Sequence, residues 1–249
     1  MAARRFGLFV MVAGTIGIAA ADETIQYKSA DYTFSVDAAE KNIRVTWSYP
    51  VFLSGFPSVT GPLNAWVRDQ SLEPLAECAG VPLANLRTMR DSEVIRTLKA
   101  GRHFADCDYL DQSDVSPSEA FGTTISITKT TEWSGLTRSQ HGEKTLYFDL
   151  SRNAEIGIET FFRTDALAAL NEALASKIHK ERPNCSGRSF DWSQVSFRPP
   201  NMIFMEFPYN PAEWNVCGDG VEMLKGKVVK DNLVAKLGQG SAKKIVRIP

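Results

Sequence analysis

The segment TTISITKTTEWSGLTRSQHGEKTLYFDL, residues 123 to 150, constrains this chain more than any other. On its first arm Ile125 and Ile127 alternate with Thr and Ser, and on its second Leu146, Phe148 and Leu150 alternate with Tyr147 and Asp149. A period of two places each apolar set on one side of a strand and on no single side of a helix, so the segment predicts an antiparallel hairpin. The connection around SGLTRSQHG is longer than a tight turn, which predicts an exposed loop open to recognition.

Other stretches fall into place around that hairpin. TIQYKSADYTFSVD and NIRVTWSYPVFL alternate in the same way and are rich in β-branched and aromatic residues, so they predict two or three strands before residue 54. LNAWVRDQSLEPLAEC sets Leu63, Trp66, Val67, Leu72 and Leu75 near helical spacing, with Thr60 as cap and Pro74 expected to kink or end the helix early. VPLANLRTMRDSEVIRTLKAG predicts a second helix through Leu83, Leu86, Met89, Val94 and Leu98, stopped at Gly101. In RTDALAALNEALASKIHKERP, Thr164 caps a helix whose stripe is Leu167, Leu170, Leu174 and Ile178, and Pro183 ends it. QVSFRPPNMIFMEFP predicts two strands, and the tail a strand over EMLKGKVV and a short helix over KDNLVAKLG. The order predicts an α+β fold of antiparallel sheets with helices packed on one face, as one globular unit with subdomains at 22–115 and 116–249.

Within NMIFMEFPYNPAEWNVCGDG, residues 201 to 220, Met202 to Phe207 carry apolar bulk on both faces and predict a central strand. Pro208 and Pro211 then break the alternation. Tyr209 and Trp214 are thereby placed in a loop, where their rings either close over the core or stand out as stacking surfaces.

The first 21 residues have the layout of a secretory signal: Arg4 and Arg5, an apolar run from about Phe6 to Ile18, and Ala19-Ala20-Ala21 before Asp22. An apolar core of about a dozen residues is short of the roughly 20 that span a bilayer. Cleavage near Ala21 and a periplasmic or secreted location are expected, with no membrane span in the mature chain. Without Arg4 and Arg5 the 28 basic residues fall to 26 against 29 acidic ones, a formal charge of −3 that points to neither nucleic acid nor an anionic lipid surface.

Cys78, Cys107, Cys185 and Cys217 are an even set, which in an oxidising compartment reads as disulfides. Three connectivities exist. Pairing Cys78 with Cys107 and Cys185 with Cys217 closes two loops of about 30 residues, each worth roughly 3 kcal/mol in the chain-entropy model. Neither a C-x-x-C pair nor a cysteine at ligand spacing from a histidine favours zinc, and no metal or other cofactor is expected. The acidic run of Asp106, Asp108, Asp111 and Asp114 misses the EF-hand spacing and its glycine, and reads as a solvated loop.

Catalytic material is sparse. Of the three histidines, His103, His141 and His179, none forms a triad signature, and no G-x-S-x-G elbow occurs. Glu132, Glu143 and Asp149 are the carboxylates a glycan hydrolase would draw on. Trp47 and Trp66 fall in patterned segments and are expected to pack, leaving Trp133 and Trp214 as the better candidates for stacking on a ligand.

The TTISITKTTEW strand, the His141-Gly142 turn, TLYFDL before EIGIETFF, a helix, and then SFRPPNMIFMEFPYNPAEWNVCGDGVEMLKGKVVKDNLVAKL resemble the extracytoplasmic domains of RsiV-type anti-sigma factors and the N-terminal region of PdaC-type peptidoglycan deacetylases. Tyr209, Pro211, Ala212, Gly220 and the Leu233 to Leu237 helix occupy positions that match that family. Where the family often carries Gly-Gly-Ala-His at the hairpin turn, this chain has Arg138-Ser139-Gln140-His141. The resemblance covers most of residues 24 to 238 and implies a non-enzymatic envelope module whose partner is a lysozyme-like protein or peptidoglycan. Trp133, His141, Tyr209 and Trp214 are the expected ligand-binding residues, and an envelope glycan hydrolase or a purely structural envelope protein are the alternatives.

Overall fold

The structure, a computed structural model, describes residues 24–38, 41–54, 60–101, 110–134, 139–181, 195–198, 202–205, 221–225, 227–234 and 242–249. Strands β1 (Ile25–Ala38) and β2 (Lys41–Ser54) pair antiparallel from Gln26 to Ala38. Their alternation puts Phe34 opposite Val45 and Val36 opposite Ile43, all buried. Helix α1 (Thr60–Ala79) then lies on this face, burying Leu63, Val67, Leu72 and Leu75. Ser71 joins helix to sheet: its hydroxyl accepts the Trp47 indole N–H at 2.8 Å and donates to the Arg68 carbonyl, while its own carbonyl accepts the Ser113 hydroxyl at 2.7 Å.

Pro74 does not end α1, contrary to expectation; the helix runs on to Ala79 with Pro74 buried inside it. An interior proline costs about 3 kcal/mol against alanine. Leu75, Ala76, Cys78 and Ala79 are buried beyond it, and one fully buried leucine alone is worth roughly 1.5–3 kcal/mol. Burial outweighs the lost hydrogen bond.

The second expected helix is two, α2 (Leu83–Arg87) and α3 (Asp91–Ala100). Arg68 supplies the reason, because its guanidinium donates to the carbonyls of Arg87 at 3.2 Å and Met89 at 2.8 Å, satisfying the end of α2 from outside. Glu93 then reaches back to the Arg90 N–H at 2.9 Å and starts α3 afresh. Gly101 does follow α3, but with φ −66° it is not a left-handed stop. A Cβ there would stand 3.0 Å from the Cβ and carbonyl oxygen of Ala79, so glycine serves the close approach of the two helix ends.

Because α1 to α3 carry the chain back across the sheet, β3 (Leu110–Phe121) returns parallel to β2, with Thr46 to Ser48 against Gln112 to Asp114. The boundary expected at residue 115 lies inside this strand. Strands β4 (Thr124–Ser134), β5 (Ser139–Asp149) and β6 (Ala154–Ile156) follow antiparallel. Pro117 sits where the β3–β4 ladder slips between Pro117 and Ala120, and the Ser126 hydroxyl bonds both the N–H (3.0 Å) and carbonyl (3.1 Å) of Glu119 there.

Adjacent residues of β5 point to opposite faces, so Phe148 joins the core under α1 while Tyr147 enters a second core. That second core lies beneath two 3-10 turns (Ile158–Phe161 and Thr164–Ala166), α4 (Leu167–Glu181), and a small sheet of β7 (Val195–Arg198), β8 (Met202–Met205) and β9 (Val221–Lys225). Strand β8 is central in this sheet, as its apolar bulk predicts. The Tyr147 hydroxyl accepts the Phe197 N–H at 2.6 Å and donates to its carbonyl at 3.2 Å, tying β7 to β5.

Thr164 does not cap α4. It opens a 3-10 turn held by the Arg163–Asp165 ion pair, and the α-helix begins at Leu167. In the tail, α5 is Lys227–Lys230, most of it within the stretch expected to be a strand; of the expected KDNLVAKLG helix, Asp231 to Val234 form a turn and a bridge, and residues 235–238 lie outside the described ones. Leu233, buried, forms a bridge with Phe162 instead. The chain's last strands, β10 (Ala242–Lys243) and β11 (Ile245–Arg247), pair with β3 and, parallel, with β1.

The fold is therefore α+β: a mostly antiparallel eight-stranded sheet, α1 to α3 on one face, and the smaller sheet with α4 on part of the other. Cys78 is buried and disulfide-bonded. Cys107, Cys185 and Cys217, and with them the pairing, lie outside the described residues, as does the expected leader.

Candidate functional site

The distal half of the β4–β5 hairpin extends past both cores, and its alternation sorts side chains onto two different surfaces. On the helix side stand Lys129, Thr131 and Trp133 of β4, with Lys144 opposite Lys129 and Gly142 opposite Thr131. Glu73, Pro74 and Glu77 of α1 form the facing wall. Between them lies an open groove of about 290 Å³, rimmed also by Glu143.

Trp133 lies at the strand end of this groove, partly buried against the main core and opposite Leu110 in the β3–β4 register. Its indole crosses the space a side chain at position 142 would fill: a Cβ on Gly142 would stand 3.2 Å from Cζ3 and 3.4 Å from Cη2 of Trp133, and 2.9 Å from Thr131 Oγ1. Only glycine lets the ring lie down across β5 here. Lys129 bonds Glu73 at 2.7 Å, with 14% of its side chain exposed against 59% for the glutamate. Glu77 and Lys144 are exposed and form no ion pair among the described residues.

On the opposite surface Glu132 pairs with His141. His141 Nδ1 is 3.3 Å from Glu132 Oε1, and Nε2 is 3.8 Å from Glu143 Oε2, all three side chains being roughly half exposed. Asp149, the third hairpin carboxylate, is buried in the turn after β5, where it accepts the Ser151 N–H at 2.9 Å and hydroxyl at 2.7 Å. Six strand residues separate it from Glu143, about 20 Å. The three carboxylates do not converge.

Several expectations are corrected by this arrangement. Trp133 and His141 are not loop residues; β4 and β5 extend to Ser134 and Ser139, so both stand on paired strands. They also face opposite sides of the sheet and cannot touch one ligand group together. Tyr209 and Trp214 lie outside the described residues. Trp47 and Trp66 pack as expected, Trp47 fully buried and Trp66 over Phe148 with ring centroids 5.0 Å apart. Asp111 and Asp114 lie on β3, Asp106 and Asp108 lie outside the described residues, and no cluster of metal-ligating side chains occurs among the described residues. The groove's helix wall and its two lysines went unread in the sequence. Glu73 and Glu77 at i and i+4, on one helix face, were the available signal.

A second polar cluster joins the β1–β2 hairpin to the helices. Asp91 Oδ2 accepts the hydroxyls of Tyr32 at 2.5 Å and Tyr49 at 2.6 Å, and Oδ1 accepts Arg68 Nε at 2.9 Å. Burial alone raises the Asp91 pKa, but the hydrogen bonds from Tyr32, Tyr49 and Arg68 outweigh it and hold the carboxyl below its usual range. Burial, then the bond to Asp91, pushes the Tyr32 phenol up to about 12, and Tyr49 is raised by the same causes. Every member of this cluster is spent on its neighbours, and it reads as a structural node.

Together these features define an α+β domain that presents an aromatic-floored groove on the helix-covered side of its large sheet. No protein-family model matches the chain, and no curated protein does. Solved structures do match. One is a member of the DUF3298 family from Bacteroides fragilis NCTC 9343, with a TM-score of 0.54, 10% identity, and coverage of 85% of this chain and 94% of that one. Another is a DUF3298 family protein from Pseudomonas aeruginosa PAO1, with a TM-score of 0.53, 10% identity, and coverage of 84% and 97%. At that identity the likeness is one of fold.

Proposed function

We propose that this chain is an exported, non-catalytic binding domain of the bacterial envelope, and that it recognises an envelope component through the groove between α1 and the β4–β5 hairpin. The observation that carries the reading is the Trp133 indole laid across Gly142 at the edge of an open groove, an arrangement that gives up a side chain to expose an aromatic face. The leader-like first 21 residues and the resemblance to RsiV-type and PdaC-type domains support the envelope setting. The fold shared with two bacterial DUF3298 structures agrees with it. Against catalysis stands the setting of the hairpin acids: Glu132, His141 and Glu143 lie on an open sheet face, whereas proton transfer profits from a site that excludes water.

Calorimetric titration with soluble muropeptides and with a lysozyme tests this. Saturable heat with the ligand recovered chemically unchanged is expected. Absence of heat or retention at high micromolar concentration, or steady consumption of the ligand, refutes it. Export is checked by sequencing the N-terminus of the chain recovered outside the cytoplasm, which should begin near Asp22.

A further inference from the structure

Resting on that reading, we infer that the groove's ligand is a glycan, bound with one pyranose ring flat on the Trp133 indole and its hydroxyl and acyl substituents held between Lys144 and Glu77. Three observations separate this from the other envelope ligands. The first is size. At about 290 Å³ the groove lies at the small end of the roughly 300–1,000 Å³ typical of small-molecule sites, which suits a sugar unit and falls far short of a protein surface.

The second is the hydrogen-bonding character of the floor. An extended peptide docks by adding its backbone to a free strand edge, and the outer edge of β5, which pairs with β6 only from Tyr147 to Asp149, points sideways out of the groove; the floor is the face of β4 and β5, whose backbones bond each other from Thr124 to Ser134. Side chains alone face the ligand, and they comprise an aromatic ring, an ammonium and a carboxylate. A pyranose needs that combination, since its axial C–H groups form an apolar face that rests on the negative face of an indole while its rim hydroxyls both donate and accept.

The third is charge. Glu73 and Glu77 oppose Lys129 and Lys144 around the groove, the Glu143 carboxylate lying on the other face beside His141, and Lys129 is already neutralised by Glu73 at 2.7 Å. Such a near-balanced lining disfavours a polyanion. Lys144 and Glu77, exposed and not engaged with each other, remain as one donor and one acceptor on opposite walls. Gly142 is the positioning residue, because any Cβ there meets Cζ3 of Trp133 at 3.2 Å and tilts the ring.

The experiment titrates the folded chain with a soluble N-acetylglucosamine oligomer, with a sugar-free stem peptide, and with lysozyme, following heat and the indole N–H resonances. The oligomer should bind and move one indole resonance, and the stem peptide should not bind. Trp133→Ala should weaken the oligomer roughly tenfold, on the scale of aromatic contacts, while Trp133→Tyr keeps most of the affinity and guards against a folding artefact. Gly142→Ala should weaken it with an unchanged far-UV spectrum, and Glu77→Gln and Lys144→Ala, both at exposed positions, should each do so severalfold. Should the oligomer fail to bind while the peptide or lysozyme does, or bind Trp133→Ala as tightly as the native chain, the glycan assignment is wrong and the binding-domain reading survives. If none of the three binds, both are wrong.

Discussion

Replacing Asp91 by Asn tests how the sheet and helices are held together, because one carboxylate takes hydrogen bonds from β1, β2 and α1 at once. Tyr32 and Tyr49 donate to Oδ2 at 2.5 and 2.6 Å, and Arg68 to Oδ1 at 2.9 Å. The amide keeps the shape and one acceptor, so it turns a donor either toward the two phenols or toward the Arg68 guanidinium, and in both orientations Arg68 loses its counter-charge. Arg68 and Asp91 are 16% and 21% exposed, so the loss lies below the 3–5 kcal/mol of breaking a fully buried pair, at about 2–3 kcal/mol. For a chain of this size that is a fall in Tm of about 5–10 °C. Urea unfolding of both proteins, with m unchanged, measures the difference. Its pH dependence adds a second check: because the folded carboxyl is depressed, its contribution is complete above the unfolded value of about 3.9 and is lost as pH falls through the folded one. The gap between native and Asp91→Asn should therefore hold from pH 5 to 8 and close in stronger acid. A gap under about 0.5 kcal/mol at pH 7 would show the node to be ornamental.

In the alkaline direction the Tyr32 phenol, raised to about 12, supplies stability present below the unfolded value of about 10 and lost as pH climbs toward 12; absorbance titration should show it ionising late in the native chain and earlier in Asp91→Asn. Tyr147→Phe strips two hydrogen bonds from the buried backbone of Phe197 and should cost about 2–4 kcal/mol, with hydrogen exchange in β7 accelerating more than in β4; equal acceleration in both would contradict a local seam. Pro74→Ala should raise stability by about 1 kcal/mol, since relieving the interior-proline penalty of about 3 kcal/mol, lost hydrogen bond and ring clash together, exceeds the roughly 1.6 kcal/mol of buried methylenes given up; a clear loss would mean that Pro74 packing matters more than the α1 backbone.

The groove was only half legible beforehand. Trp133 stood out as an aromatic in a patterned hairpin, but its company did not. Trp133 and His141 read as neighbours in one loop, because the chain does not announce where a hairpin's pairing stops. Once the register sets Glu132 opposite His141, a period of two puts Trp133 and His141 on opposite faces without further choice. Glu73 and Glu77 meet Trp133 only through the docking of α1, some 60 residues away along the chain.

What the chain's own order determined was local: the alternations that became β1, β2, β4 and β5, the helical stripes of α1 and α4, and the α+β class that their succession implies. Such periodicities need only a residue's near neighbours and a choice of which side meets water. Tertiary structure decided the rest, namely the parallel return of β3 beside β2, the closing of the sheet by β11 on β1, the passage of α1 through Pro74, and the split of α2 from α3 under Arg68. Each of these depends on a partner distant in sequence whose burial or hydrogen bonds outweigh a local preference of a few kcal/mol, and no window of neighbouring residues contains that partner.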